Sequence, residues 1–109
     1  MPYDENLARR IRAELEPMPG LVEKKMFGGT GFLVRGNMAC GVHGDDLIVR
    51  VGPERYEETL ARPHTKLFDL TGRPMRGWVM VTPAGVAGDE ELAAWVRMGV
   101  EFALSLPSK

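Results

Sequence analysis

The chain has 109 residues and a formal net charge of −1, from 14 basic and 15 acidic side chains, and 44% of its residues are hydrophobic. This composition excludes a disordered chain, which would be poorer in apolar residues, and the length predicts one domain over residues 1–109 that buries a core without metals or disulfides. The balanced charge argues against direct DNA binding, because duplex-binding domains usually carry a basic excess or a basic stripe.

Cellular location is predicted from cysteine usage and from the N-terminus. The single cysteine, Cys40, cannot form an intramolecular disulfide, which is typical of a protein in a reducing compartment. The first five residues, MPYDE, lack the basic and apolar regions of a signal peptide. No apolar run approaches the roughly 20 residues that span a bilayer. We therefore expect a cytoplasmic protein with no membrane association.

The first predicted element is an amphipathic helix from Asp4 to Glu16. Leu7, Ile11 and Leu15 recur every four residues and form an apolar stripe. Asp4 suits the N-cap position, because its carboxylate can accept hydrogen bonds from free backbone amides of the first turn. Three arginines lie beside this stripe and form either a solvated surface or an anion-binding one: Arg9, Arg10 and Arg12.

Short strands separated by turn residues follow. We predict strands at Val22–Phe27, Phe32–Arg35, Met38–His43 and Leu47–Val51, with turns at residues 28–31, 36–37 and 44–46. Connections this short make neighbouring strands antiparallel. Alternation places Met38, Cys40 and Val42 on one face of the sheet and leaves the opposite face only partly covered.

The second half of the chain adds two helices and one or two strands. We predict a helix at Pro53–Ala61, an edge strand at Lys66–Asp69, a loop at Leu70–Met75, a strand at Gly77–Thr82 and a helix at Asp89–Leu106. The last strand is apolar on both faces, which favours a position inside the sheet. Gly99 lies in the buried stripe of the last helix, which predicts the close approach of another backbone. The order of elements predicts an α+β fold, with helices flanking an antiparallel sheet of about five strands.

Few side chains in the sequence suit catalysis or metal binding. Cys40 and His43 are three residues apart on a predicted strand, so their side chains should point to opposite faces rather than share a metal. A thiol in the middle of an apolar strand is expected to be inert. The glycine-rich run Gly28–Gly31 precedes a strand, whereas a phosphate-binding loop precedes a helix. We therefore expect no catalytic residue, no metal and no cofactor.

Arg50 is a charge inside an otherwise apolar strand, Leu47–Val51. Its aliphatic stem can lie along the sheet while the guanidinium reaches solvent. Alternatively, the guanidinium anchors an anionic group or a carboxylate of a partner. Both interpretations stay open, and Arg50 is the candidate binding residue.

A set of motifs in a fixed order resembles the N-terminal domain of the TfoX/Sxy family of competence regulators. These motifs are Lys25–Gly29, Gly31–Phe32, Gly36–Met38, Asp46–Val51, Trp78–Pro83 and Asp89–Val96, and the resemblance covers about residues 26–104. The Met-Phe-Gly-Gly run is the most specific of them. The family motifs define no active site, so we expect a structural role for Met26, Phe27, Gly28, Gly29 and Gly31, with Gly28 and Gly29 allowing a positive φ.

The resemblance also implies a fold and a function. Family members place helices around an antiparallel sheet in a secretion-chaperone-like arrangement. Full-length members promote transcription of DNA-uptake genes together with a cyclic-AMP receptor-type activator, and they typically carry a second, C-terminal domain. We expect this chain to be a stand-alone N-terminal domain, a non-enzymatic regulatory module that binds transcription machinery or a regulator. The alternatives are a small-molecule- or nucleotide-binding domain that uses the less covered sheet face and Arg50, an enzyme, and a homodimer through that face.

Overall fold

The computed structural model describes residues 3–16, 20–26, 29–68 and 76–107. Within them lie three α-helices, α1 (Glu5–Leu15), α2 (Tyr56–Leu60) and α3 (Asp89–Ser105). The strands are β1 (Leu21–Met26), β2 (Gly29–Val34), β3 (Asn37–His43), β4 (Asp46–Arg50), β5 (Thr65–Leu67) and β6 (Trp78–Val81). A short 3₁₀ helix at Pro83–Val86 connects β6 to α3.

The six strands form one sheet in the order β1-β2-β3-β4-β6-β5, and every neighbouring pair is antiparallel. The predicted α+β class is therefore confirmed, with six strands in the described chain where about five were expected. The predicted position of the last strand is also correct, since β6 lies between β4 and β5. Its residues Val79, Met80 and Val81 are buried, which agrees with its apolar sequence on both faces.

Helices α1 and α3 cover one face of the sheet, which we call the helix-covered face. Helix α1 begins where expected, because the Asp4 carboxylate accepts hydrogen bonds from the backbone amides of Asn6 and Leu7. The apolar stripes of α1 and α3 pack against Val42, Val49 and other inward side chains of the strands. This cluster is the main core of the protein, and its burial is the principal source of stability.

The opposite face of the sheet, here the second face, carries a smaller apolar cluster. Ile48, Phe68 and Met80 are almost completely buried there, and Trp78 packs against them. The second face is thus more covered than the sequence indicated. Large exposed apolar side chains in the described chain are Val22, Leu67 and Leu104, and they lie on both edge strands and on α3. No described helix is long and apolar enough to cross a membrane.

The predicted alternation of β3 is wrong at Met38. The pairing of β2 with β3 shifts by one residue between Phe32 and Leu33, so that Ala39 is an extra residue on β3. A bulge of this kind turns consecutive side chains toward the same side. Ala39 and Cys40 consequently both join the main core, while the Met38 methyl group lies 2.9 Å from the position that a Cβ on Gly41 would occupy.

The glycine-rich turn predicted at residues 28–31 is also wrong in its bounds. Gly29, Thr30 and Gly31 belong to β2, where they pair with Met26, Lys25 and Lys24 of β1. Phe27 and Gly28 lie outside the described residues, as does the predicted loop at Leu70–Met75. Glycine is common in turns, which is why the sequence predicts one here, but Gly29 and Gly31 instead extend the strand.

Helix α2 is shorter than predicted. Residues 53–55 form a turn and the helix begins only at Tyr56, with no side chain capping its N-terminus. Tyr56 and Thr59 are buried, and the helix packs against β5 and β6. Tertiary packing rather than helix propensity therefore determines where this short helix lies.

Gly99 brings α3 close to the sheet, as its position in the buried stripe predicted. A Cβ atom at this position would lie 2.2 Å from the carbonyl oxygen of Ala39 on β3. That separation is far below van der Waals contact, so only glycine allows α3 to approach β3 this closely. The contact brings α3 against β3, one of the two central strands of the sheet.

Candidate functional site

The thiol of Cys40 is fully buried in the main core. Burial raises its pKa from 9.0 to about 12, because the thiolate would lose its hydration there. A thiol with so high a pKa does not act as a nucleophile at neutral pH. In the described part of the chain, no three His, Cys, Asp or Glu side chains are grouped so that they could hold a metal ion.

The motif glycines that the structure describes have structural positions. A Cβ on Gly29 would lie 1.8 Å from the carbonyl oxygen of Val42, so glycine permits the close pairing of β2 with β3. Gly29 and Gly31 both lie in β2, and Gly29 does not have the positive φ that was expected of it. Met26 is the last residue of β1 and pairs with Gly29. These positions suit fold determinants, and a binding role for them stays untested.

Arg50 is the last residue of β4 and pairs with Trp78, the first residue of β6. Its guanidinium carbon lies 5.1 Å from the centre of the Trp78 ring and 5.3 Å from the centre of the Phe102 ring on α3. Both distances are within the range of cation–π attraction. Among the described residues, no carboxylate oxygen lies within 4 Å of its nitrogens.

The stem of Arg50 therefore fits the first interpretation, in which it lies along the sheet. The second interpretation, that the guanidinium binds an anionic group, stays a prediction. Arg50 is half-buried, and the two rings hold the guanidinium at the end of the sheet. Aromatic rings attract the cation through their faces but accept few of its N–H bonds. The side chain thus keeps hydrogen-bond donors for an anionic group in a fixed place.

Phe102 also lines a cleft of about 380 Å³ between the start of α2 and the C-terminal half of α3. Two further depressions, of about 410 and 260 Å³, continue from it toward the N-terminus of α3. The depressions of 380 and 410 Å³ share Arg55 and Met98. The depressions of 410 and 260 Å³ share Arg62. We call these three adjoining depressions together the α2–α3 groove.

The groove has an apolar floor and a charged rim. Its floor is formed by Trp95, Met98 and Phe102, which recur at helical spacing along one flank of α3. The Arg62 guanidinium lies over the Trp95 ring, 4.3 Å from its centre. The charged rim residues are Glu54, Arg55, Glu58, Arg62, Glu90, Glu91 and Glu101, all of them exposed.

Sequence reasoning found Arg50 but missed its surroundings. The sequence places Trp78 in a predicted strand and Phe102 in a predicted helix, and nothing in the local pattern puts either of them beside Arg50. The groove was missed because it lies between two helices that are far apart in the chain. One signal was available: Met98 and Phe102 are large apolar residues four apart on the same helix as Glu101, which is typical of a helix flank at a boundary with solvent.

Comparison with known protein families decides the relationship suggested by the motifs. The family model for the TfoX N-terminal domain matches residues 13–103 of the chain. The chain belongs to the TfoX N-terminal domain family. The match includes Arg50, Trp78 and Phe102 and nearly all of the α2–α3 groove of this TfoX N-terminal domain. The comparison with curated proteins gives no match.

Proposed function

We propose that this TfoX N-terminal domain is a non-enzymatic regulatory module that acts by binding protein in the cytoplasm. The process that the family resemblance implies is transcriptional control of competence, with the transcription machinery or one of its activators as the partner. The observation that carries the proposal is the family match over residues 13–103. The buried, inert thiol of Cys40 agrees with a role other than nucleophilic catalysis.

Arg50 supports a binding role at one end of the α2–α3 groove. Its guanidinium is oriented by Trp78 and Phe102, so little side-chain freedom remains to be lost when a partner binds. Arginine forms two parallel hydrogen bonds with a carboxylate, which gives such a contact both strength and direction. A partner's carboxylate at this position would be recognised without rearrangement of the domain.

Affinity purification of the tagged protein from its own cells, with quantitative mass spectrometry, tests the proposal. We expect enrichment of RNA polymerase, of a transcription activator or of a C-terminal TfoX-type chain, and a lower yield with Arg50→Ala. Arg97→Ala, on the exposed side of α3, is the matched control and should retain the partner. Recovery of the tagged protein alone in all three preparations would contradict stable protein binding.

A second candidate function is the binding of a small molecule or nucleotide. The cleft of about 380 Å³ beside Phe102 favours it, because ligand sites commonly have volumes of roughly 300–1,000 Å³. A ligand that binds only the native state raises the unfolding temperature, and the rise grows as the ligand concentration exceeds the dissociation constant. A thermal-shift screen of nucleotides and small carboxylates against wild type and Arg50→Ala tests this function. A shift seen only with wild type would place the ligand at Arg50.

A further inference from the structure

The α2–α3 groove has the length of a helical peptide. The floor and rim residues on α3 run from Glu90 to Ser105, which corresponds to about 22 Å at 1.5 Å per residue. Residues 52–62, a segment that contains α2, form the other wall and run in the opposite direction, since Pro53 faces the C-terminal half of α3 and Arg62 faces its N-terminal turn. A helix of roughly four turns would fill such a groove along its whole length.

The charge of the rim indicates what kind of helix fits. Five exposed carboxylates and two guanidinium groups line the groove. Arg62 is already stacked on Trp95, and no described ion pair joins a rim carboxylate to a rim arginine. The rim therefore carries an uncompensated negative charge, which attracts a basic partner and disfavours an acidic one.

The floor is suited to apolar side chains. Met98 and Phe102 are half-buried, so part of each is open to solvent in the isolated domain. Methionine adapts its shape to different apolar partners, and aromatic side chains are frequent hot spots of interfaces. The partial exposure of these two residues leaves apolar area that a partner can bury.

A second copy of this chain is a poorer occupant than a different protein. The most basic helix of the domain is α1, and two of its arginines are paired within the same molecule. Arg10 lies 3.2 Å from Asp89, and Arg12 forms a two-bond ion pair with Glu23 at 2.8 Å. Arg9 donates a hydrogen bond to Asn6. These arginines would have to break existing contacts before they could face the groove of another copy.

We propose that the α2–α3 groove binds a basic amphipathic helix of a partner protein, with apolar side chains on Met98 and Phe102 and Lys or Arg side chains at the rim carboxylates. This inference rests on the proposed protein-binding function and gives that function a site and a partner chemistry. Arg50 lies beyond the Phe102 end of the groove and would meet a carboxylate at one end of the bound helix, which fixes its direction.

Binding of synthetic peptides, measured by isothermal titration calorimetry at low and moderate salt, tests the proposal. The probe is a 16-residue peptide with leucines at helical spacing and lysines on both flanks, and its control has every lysine replaced by glutamate. We expect the basic peptide to bind at one site and the acidic peptide not to bind. Equal binding of both peptides, or of neither, would overturn the proposal.

Two pairs of variants place the binding site. Met98→Lys puts a charge on the groove floor and should abolish binding, whereas Leu104→Lys makes the same kind of change on the outer side of α3 and should leave binding unchanged. Glu54→Gln with Glu101→Gln should weaken binding about threefold to tenfold and reduce its salt dependence. Glu14→Gln with Glu16→Gln removes the same charge from α1 and should have no such effect.

The outcomes separate this inference from the proposed function. If affinity purification recovers a partner whose yield is the same with Met98→Lys as with Leu104→Lys, the protein-binding function stands and the groove is not its site. If Met98→Lys converts a dimer into a monomer in light scattering, the occupant is a second copy and the inference is wrong. If no partner is recovered and no peptide binds, both the inference and the proposed function fail.

Discussion

Arg50 connects separate elements of the fold through its side chain. Its guanidinium contacts two rings that belong to a neighbouring strand and to a distant helix, so the side chain links β4, β6 and α3. The same contacts hold the charged group at the surface in one orientation. Removal of the charge should therefore affect stability even when no partner is present.

We expect Arg50→Met to lower the free energy of unfolding by about 1 kcal/mol, because two partly exposed cation–π contacts are lost while the length of the stem is kept. Arg50→Lys should have a smaller effect, since the ammonium group keeps the charge but not the planar stacking. Urea denaturation measures both. Arg97→Met is the control, and an equal loss in that variant would show that the ring contacts of Arg50 contribute nothing.

The buried thiol of Cys40 predicts a dependence of stability on alkaline pH. Its pKa is about 12 in the folded protein and 9.0 in the reference state, so above pH 9 the unfolded chain loses the thiol proton while the folded protein retains it. Stability from this group is complete below pH 9 and falls as the pH rises, by about 1.4 kcal/mol per pH unit.

Urea denaturation of wild type and Cys40→Ala at pH 8, 9, 10 and 10.5 checks this prediction. The difference between the two unfolding free energies should be constant up to pH 9 and should then shrink, because alanine has no proton to lose. Other titrating groups are common to both proteins and cancel in the difference. A difference that stays constant to pH 10.5 would contradict the burial of the thiol.

Among the secondary-structure elements, α3 determines the geometry of the candidate site. Its inner stripe packs on the sheet, its flank forms one wall of the groove, and Gly99 sets its distance from β3. The groove therefore depends on a contact at the centre of the sheet, away from its own rim.

We expect Gly99→Ala to destabilise the protein by about 2 kcal/mol or more, although alanine favours an isolated helix by roughly 1 kcal/mol over glycine. The reason is the clash of the new methyl group with the Ala39 carbonyl oxygen, 2.2 Å away, which forces the helix from the sheet. Thermal or urea denaturation measures the effect. Arg97→Ala, on the exposed side of the same helix, should change stability by less than about 0.5 kcal/mol; a neutral or stabilising Gly99→Ala would refute the close packing.

Local patterns predicted the elements well and their long-range relations poorly. The stripe of α1 with its Asp4 cap, the periodicity of α3 and the alternation of β4 are all encoded within a few residues. The bulge at Ala39 in β3 could not be predicted from local pattern, because a bulge is defined by the pairing of its strand with another strand. The start of β2 at Gly29 was missed for a related reason: only the nearby Val42 carbonyl shows that glycine is needed for close approach rather than for a turn.

The candidate site was predictable only in part. Arg50 was identifiable because a charge inside an apolar strand is unusual. Its ring partners and the α2–α3 groove arise where α3 crosses the end of the sheet, and that contact depends on packing between segments far apart in the chain. A single sequence carries little local information about such contacts.

The described exposed apolar side chains do not form one patch. Val22 lies on β1 and Leu67 on β5, the two opposite edges of the sheet, while Leu104 lies on α3. Stable homodimers usually bury a contiguous and largely apolar surface. We expect light scattering to give the mass of one chain at micromolar concentration. A dimer that persists on dilution would favour the homodimer, which the sequence left open as an alternative.

The central proposal for the whole molecule is that the domain works by binding another protein through the α2–α3 groove. Photo-crosslinking in the native cells tests it most directly, with a photoreactive amino acid placed at Ala94 in the groove or at Leu104 on the outer side of α3, both exposed. We predict a discrete crosslinked protein from position 94 and little or none from position 104. Equal crosslinking from the two positions, or no protein product from position 94, would contradict the claim.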